Sequence, residues 1–184
     1  MRGWRGRRRS WGEDYLLRAS LTAEQVVERI RKNVGVPWRA ETLDTFKAGD
    51  PGTAVTGIVT TGMATMDVLS RALKEKANLV ITLEPVFFGR LDAPPAGDAV
   101  HAAKKEFIEK NGMAVWRFSD HWRARTPDPF ATGLAGAMGW TKHQVGDDVF
   151  RYDVPAVTLA SLADALAKGL KARAKARPSS PSRW

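Results

Sequence analysis

Short β-branched runs alternate with helical segments along this chain, and that alternation restricts the folds that it can adopt. Strand candidates occupy residues 54–59, 78–82, 113–118 and 149–154. Segments with apolar residues at helical spacing lie between them. Strands and helices that alternate at these lengths form βαβ units. We therefore predict an α/β fold with three layers, in which helices cover both faces of a mainly parallel sheet.

The starts of the helices follow from their capping residues. Thr22 opens the first helix with a capping-box sequence, and a second helix begins near Thr65. Asp98 is placed to cap a third helix, which Gly112 ends. A weaker helical pattern follows Pro129. These positions predict that helices connect the strands of the sheet.

The last helix is predicted at residues 159–170, and no strand candidate follows it. The sheet is therefore expected to be incomplete at the C-terminus, as in a shortened relative of a longer protein. Residues 171–184 form a basic tail rich in Pro and Ser, which cannot bury an apolar face. Residues 1–20 form a second basic tail. We predict that both tails are disordered and that residues 21–170 form the folded domain.

The net charge of +9 lies mostly in the two tails. Residues 1–20 contain six arginines, residues 168–184 contain six cations without an acidic residue, and the part between them is close to neutral. A nucleic-acid-binding domain usually carries its basic residues on the folded surface. We therefore predict at most a salt-sensitive, non-specific binding of polyanions by the tails.

Several classes of protein are excluded by composition and motif. The absence of cysteine excludes disulfides, thiolate metal sites and cysteine nucleophiles. No stretch has the ~18 apolar residues of a membrane span. Arg7-Arg8-Arg9 resembles the start of a twin-arginine signal, but the apolar segment that should follow is interrupted by charge. The chain is thus predicted to be cytoplasmic, with export through a degraded twin-arginine-like N-terminus as the alternative. It contains no phosphate-binding loop, dinucleotide fingerprint or nucleophile elbow.

The chemistry is expected where the parallel strands end, because ligands of open α/β sheets bind beyond the carboxyl ends of the strands. Glu84 follows the second strand candidate, and Asp120 with His121 follows the third. Two carboxylates and an imidazole suit a divalent cation such as zinc, iron or manganese. The alternative is structural, with Glu84 in a turn and the Asp-His pair capping the next helix.

Three segments of the sequence resemble a known family. Residues 57–69 read GIVTTGMATMDVL, residues 77–88 read ANLVITLEPVFF, and residues 116–123 read WRFSDHWR. Together with residues 34–50 they resemble the NIF-three-like family, whose members are often labelled type 2 GTP cyclohydrolase I homologues. The resemblance covers roughly residues 21–170.

The resemblance implies a ring-forming, usually hexameric protein with two divalent metals per subunit and hydrolase-like activity. Carried over by position, Glu84 falls on the second residue of the family's first metal-binding pair. Asp120 falls in the second metal-binding run, with His121 beside it. No catalytic residue can be assigned from the resemblance.

The sequence departs from the family at several metal-ligand positions. Leu83, Arg90, Ser119 and Arg123 stand where the family has histidines. The family's C-terminal pair of a His and a Glu one helical turn apart is also absent. Three hypotheses remain. The first is a metal-dependent hydrolase weakened by ligand loss, and the second is a metal-free oligomeric relative that acts as a scaffold or binds partners. Polyanion binding by the tails is the third.

Overall fold

The structure, a computed structural model, describes residues 20–171. The chain divides into two compact units between His121 and Trp122. The predicted basic tails fall almost wholly outside the described residues, so their disorder stays a prediction. In chain order the helices and strands are α1 (Ala23–Asn33), β1 (Phe46–Ala48), β2 (Ile58–Thr61), α2 (Met66–Lys74), β3 (Leu79–Thr82), α3 (Ala99–Lys110), β4 (Ala114–Arg117), α4 (Asp120–Arg123), α5 (Pro129–Met138), β5 (Gln144–Val145), β6 (Asp148–Tyr152) and α6 (Leu159–Gly169).

The first unit is built on a four-stranded sheet with the strand order β1-β4-β3-β2. Strands β2, β3 and β4 are parallel, and β1 pairs antiparallel with β4. The last residues of the three parallel strands are in register, with Thr61 beside Thr82 and Thr82 beside Arg117. The mainly parallel sheet is confirmed, and the carboxyl ends of its parallel strands form one even rim.

Helices cover both faces of this sheet. On one face, Leu79 and Ala114 pack with Ala23 of α1. On the other face, Val80 and Val115 belong to the cluster that α2 and α3 complete. Successive strand residues point to opposite faces, so neighbouring residues serve different layers. The predicted three-layer α/β architecture is therefore present.

The predicted helix starts are confirmed by their hydrogen bonds. Thr22 and Gln25 form a reciprocal capping box at α1. The Thr65 hydroxyl accepts from the Val68 N–H at α2, and the Asp98 carboxylate accepts from two N–H groups at the start of α3. Local side-chain chemistry thus determines where α1, α2 and α3 begin.

Two strand predictions are corrected. The predicted strand at 54–59 begins only at Ile58, because the N–H groups of Val55 and Thr56 bond to Leu21 and to the Asn78 side chain. The predicted strand at 149–154 lies outside the main sheet. It pairs antiparallel with β5 across a turn at Gly146, whose φ is +57°. The fourth strand of the sheet is β1, which sequence patterning misses.

The second unit contains this hairpin with α5 and α6. Helix α5 buries Ala131 and Ala135, whereas α6 has no buried residue among those that the structure describes. Leu159 and Leu170 are 64% and 52% exposed. Among residues 20–171, no helix is long and apolar enough to cross a membrane.

Gly49 follows β1 at a place where no side chain fits. Its φ is +81°, and a Cβ atom there would lie 1.9 Å from the Met113 carbonyl oxygen. We expect Gly49→Ala to lower the free energy of unfolding by about 2 kcal/mol or more, because it combines backbone strain with a clash against main chain. Chemical denaturation measures this. Gly62→Ala is the control, since nothing lies within 4 Å of its Cβ position, and an equal loss in both variants would contradict the argument.

Candidate functional site at the carboxyl rim

Backbone hydrogen bonds hold the rim of the sheet together beyond the strands themselves. The Leu83 N–H donates to the Thr61 carbonyl at 3.1 Å, and the Glu84 N–H donates to the Gly62 carbonyl at 2.8 Å. The Phe118 N–H donates to the Thr82 carbonyl at 2.8 Å. The segments that carry Glu84 and Asp120 therefore leave the sheet side by side, as the parallel topology predicts.

A carboxylate that the sequence analysis does not single out organises one side of this rim. Asp44 is fully buried and lies in the segment between α1 and β1. Its Oδ1 atom accepts from the N–H groups of Ser119 at 2.6 Å and Asp120 at 2.8 Å. Its Oδ2 atom accepts from the His121 N–H at 2.9 Å. Asp44 thus caps the first turn of α4 from a distant part of the chain.

Both ring nitrogens of His121 are hydrogen-bonded inside the protein. The His121 Nδ1 atom lies 2.7 Å from Asp44 Oδ2, and the Arg39 N–H donates to Nε2 at 2.9 Å. Because Nε2 accepts a hydrogen bond, the ring proton lies on Nδ1, where it is donated to the carboxylate. The ring is fully buried. His121 therefore has no lone pair free for a metal in this arrangement.

An aromatic stack covers the same imidazole. The Trp38 ring lies parallel to the His121 ring, with 3.6 Å between centroids and 8° between planes. The Arg31 guanidinium lies 5.1 Å from the centroid of Trp38 and also contacts Glu28 on the same helix. We call Trp38, Arg39, Asp44 and His121 the rim clamp, because they join the α1–β1 segment to α4.

Asp120 is bound by the same segment. Its Oδ2 atom accepts from the Leu43 N–H at 2.8 Å and from the Thr42 hydroxyl at 3.0 Å. Burial by itself would raise the pKa of Asp120, but these two hydrogen bonds and the cations Arg39 and Arg117 hold the pKa below its usual value. The carboxylate is accordingly ionised near neutral pH.

A second buried carboxylate near the rim is neutralised by cations of the chain itself. The Asp92 side chain is 3% exposed, and its Oδ2 atom lies 3.4 Å from Arg117 and 3.7 Å from Lys47. Its Oδ1 atom accepts from the Phe87 N–H at 2.8 Å. Burial lowers the pKa of the neighbouring Lys104, although the charge of Asp92 opposes that shift. This part of the rim is held by internal ion pairs.

These contacts do not fit a divalent metal ion. Within residues 20–171, no three His, Asp or Glu side chains are gathered closely enough to hold one. Leu83 carries no donor atom, and His121 uses both of its nitrogens. Metal binding by Glu84, Asp120 and His121 stays a prediction that would require the rim clamp to rearrange.

The sequence indicates the Asp-His pair at the rim, but it does not indicate the residues that contact this pair. The Asp-His pair after β4 is recognisable as either a ligand pair or a helix cap, and the structure assigns Asp120 and His121 to the first turn of α4. Asp44 and Trp38 carry no local motif that marks them as their partners. The contact between Asp44 and His121 spans 77 residues of sequence, which no local pattern can indicate.

Solved structures share this fold. A Bacillus cereus protein related to NIF3 is 17% identical, with a TM-score of 0.54 over 68% of this chain and 35% of that one. A Staphylococcus aureus hypothetical protein is 18% identical, with a TM-score of 0.51 over 65% and 34%. Reduced HcgD from Methanocaldococcus jannaschii is 13% identical, with a TM-score of 0.52 over 67% and 49%.

The chain therefore has a NIF-three-like fold, as the resemblance predicts. It spans about a third to a half of the length of these structures. In sequence, the chain matches no family model and no curated protein. At identities this low the likeness concerns the fold and carries no activity to this chain.

We expect Asp44→Asn to destabilise the protein by about 2–4 kcal/mol, because an amide cannot accept from all the donors that meet the buried carboxylate. Denaturant unfolding of the full chain measures the loss. Asp67→Asn is the matched control, since the Asp67 side chain is 77% exposed and lies 4.0 Å from Arg71. Its effect should stay within about 0.5 kcal/mol. Similar stabilities for wild type and Asp44→Asn would show that the rim clamp is not structural.

The lowered pKa of Asp120 predicts a pH-dependent contribution to stability. A carboxylate whose folded-state pKa is depressed stabilises the fold above its unfolded pKa of about 3.9, and this contribution disappears as the pH falls through the folded value. Wild type should therefore exceed Asp120→Asn in stability at neutral pH, and the difference should shrink as the solution is acidified. Unfolding curves across that range test it, and a difference independent of pH would contradict it.

Proposed function

We propose that this chain is a non-catalytic protein with a NIF-three-like fold, which acts through contacts with other protein chains. The observation that carries the proposal is the rim clamp. The two residues of the predicted ligand set that follow β4, Asp120 and His121, bond to the α1–β1 segment and fasten it to α4. Both ring nitrogens of His121 and the Oδ2 atom of Asp120 are thereby used in structural hydrogen bonds.

The electrostatics of the rim support the same proposal. A divalent cation needs several oxygen or nitrogen donors and an excess of negative charge around it. Here Arg117 and Lys47 lie beside Asp92, and Arg39 and Arg117 act on Asp120. These cations repel a metal ion, and they already compensate the negative charges of Asp92 and Asp120.

A second candidate is a weak metal site for zinc, iron or manganese with hydrolase-like activity. It is favoured by one observation, since the lowered pKa keeps Asp120 anionic at the rim where α/β proteins bind ligands. Glu84 leaves the adjacent strand and is the other predicted ligand. This site would require Nε2 of His121 to exchange the Arg39 N–H for a metal, or would have to function without the imidazole.

The remaining expectations are also proposals. Hexameric self-association is what the resemblance implies, and a cytoplasmic location is proposed beside it. Polyanion binding concerns the two basic tails, which lie almost wholly outside the described residues. None of these depends on whether the rim binds metal.

We expect the natively purified full chain to elute as a folded species with far less than one equivalent of zinc, iron or manganese. Elemental mass spectrometry of the size-exclusion peak measures this. Glu84→Ala and Asp120→Ala should leave the metal content unchanged, because these side chains are not ligands in the proposed function. His143→Ala controls for adventitious binding by a histidine outside the rim. Near-stoichiometric metal that is lost from both rim variants and retained in the control would overturn the proposal in favour of the metal site.

A further inference from the structure

Lys104 of α3 holds its amine against the segment that connects β3 to α3. Its Nζ atom donates a hydrogen bond to the Val86 carbonyl and lies 5.6 Å from the centroid of the Phe87 ring. The carboxylate whose charge acts on Lys104 is Asp92, which already lies beside two other cations. Among residues 20–171, no carboxylate forms a salt bridge with Lys104. The amine is thus partly withdrawn from water without a paired charge in the described part of the chain.

A cavity of about 310 Å³ lies beside this side chain, at the first turns of α2 and α3. Besides Lys104, it is lined by Met66 of α2 and by Ala99, Val100 and Ala103 of α3. All four are apolar, so the amine is the one titratable group among the lining residues. Pockets for small molecules are typically apolar, with a few polar groups that determine how the ligand is oriented. The cavity therefore suits a ligand with an apolar body and one group that reacts or bonds with an amine.

The surroundings of Lys104 favour its neutral, nucleophilic form. Burial lowers the pKa of Lys104, although the charge of Asp92 opposes that shift. A lowered pKa increases the share of neutral amine at neutral pH, and the neutral amine is the form that attacks a carbonyl carbon. A neutral amine still has an N–H for the Val86 carbonyl, and its lone pair is then free to react. A carboxylate or phosphate ligand would instead need the ammonium and polar walls, which this cavity lacks.

We propose that Lys104 binds an aldehyde or ketone with a short apolar group in this cavity, covalently and reversibly, as an imine. The Lys104 nitrogen forms a bond to the carbonyl carbon, and a proton passes from the nitrogen to the carbonyl oxygen. The C–O bond then breaks, and the oxygen leaves as water with the second amine proton, so that no oxidant or reductant is needed. The imine nitrogen has no proton for the Val86 carbonyl, and hydrolysis restores that hydrogen bond. This binding goes beyond the proposed function and is independent of the metal content of the rim.

The first measurement treats the full chain at neutral pH with limiting hexanal and sodium cyanoborohydride, which reduces an imine to a stable secondary amine. Peptide mass spectrometry then gives the rate of labelling at each lysine. We expect Lys104 to be labelled several-fold faster than Lys105, the adjacent lysine, whose side chain is 50% exposed and lies 3.8 Å from Glu109. In denaturant the difference should vanish. Equal or slower labelling of Lys104 in the folded chain would overturn the proposal, as would a difference that persists after unfolding.

The second measurement separates binding in the cavity from the reactivity of the amine alone. Formaldehyde has no apolar group, so the preference for Lys104 over Lys105 should be several-fold smaller with formaldehyde than with hexanal. Ala103→Leu fills part of the cavity with a residue that favours the helix, and it should slow hexanal labelling of Lys104 while formaldehyde labelling stays as in wild type. Circular dichroism checks that this variant is folded. The same preference for both aldehydes, or hexanal labelling that Ala103→Leu leaves unchanged, would refute binding in the cavity. Metal content of the same samples reports separately on the proposed function.

Discussion

The side of the rim where α4 begins depends on one buried carboxylate. Asp44 is removed from water, and an ion in that position is costly unless it is well hydrogen-bonded. Three main-chain N–H groups at the start of α4 and the imidazole of His121 meet that requirement. In return, the carboxylate determines where the chain turns after β4 and where the α1–β1 segment lies. The positions of Trp38 and Arg39 follow from the same contacts.

The sequence indicates metal ligands at Asp120 and His121, whereas the structure shows hydrogen-bonding partners of the α1–β1 segment. An Asp-His pair after a parallel strand is a reasonable metal-ligand pair, because both side chains are common ligands and the position is suitable. Hydrogen bonding decides which use prevails. Here Asp120 accepts hydrogen bonds from Thr42 and Leu43. His121 accepts one from the Arg39 N–H at Nε2 and donates one from Nδ1 to Asp44. The same two residue types can thus serve as hydrogen-bonding partners in a structural contact.

Those parts of the fold that depend on local chemistry could be predicted. Caps such as Thr22, Thr65 and Asp98 act within three residues, and β3 and β4 lie in apolar runs, so their positions follow from the sequence. Strand β1 has only three residues and lies in a polar stretch, and its pairing with β4 is made by distant residues. The assignment of β6 to a hairpin rather than to the sheet was likewise decided by partners that periodicity does not reveal. For the candidate site, the rim was predictable and the contact with Asp44 was not.

The donor to Nε2 of His121 is a main-chain N–H, and this has a consequence for how the sequence can change. Substitution of the Arg39 side chain leaves the hydrogen bond intact, since every residue except proline supplies the same donor. At position 39, only a substitution by proline therefore removes the hydrogen bond to Nε2. With any other residue at position 39, Nε2 becomes available to a ligand only if the backbone of the α1–β1 segment moves away. The backbone of that segment, more than the histidine itself, therefore determines what the imidazole can bind.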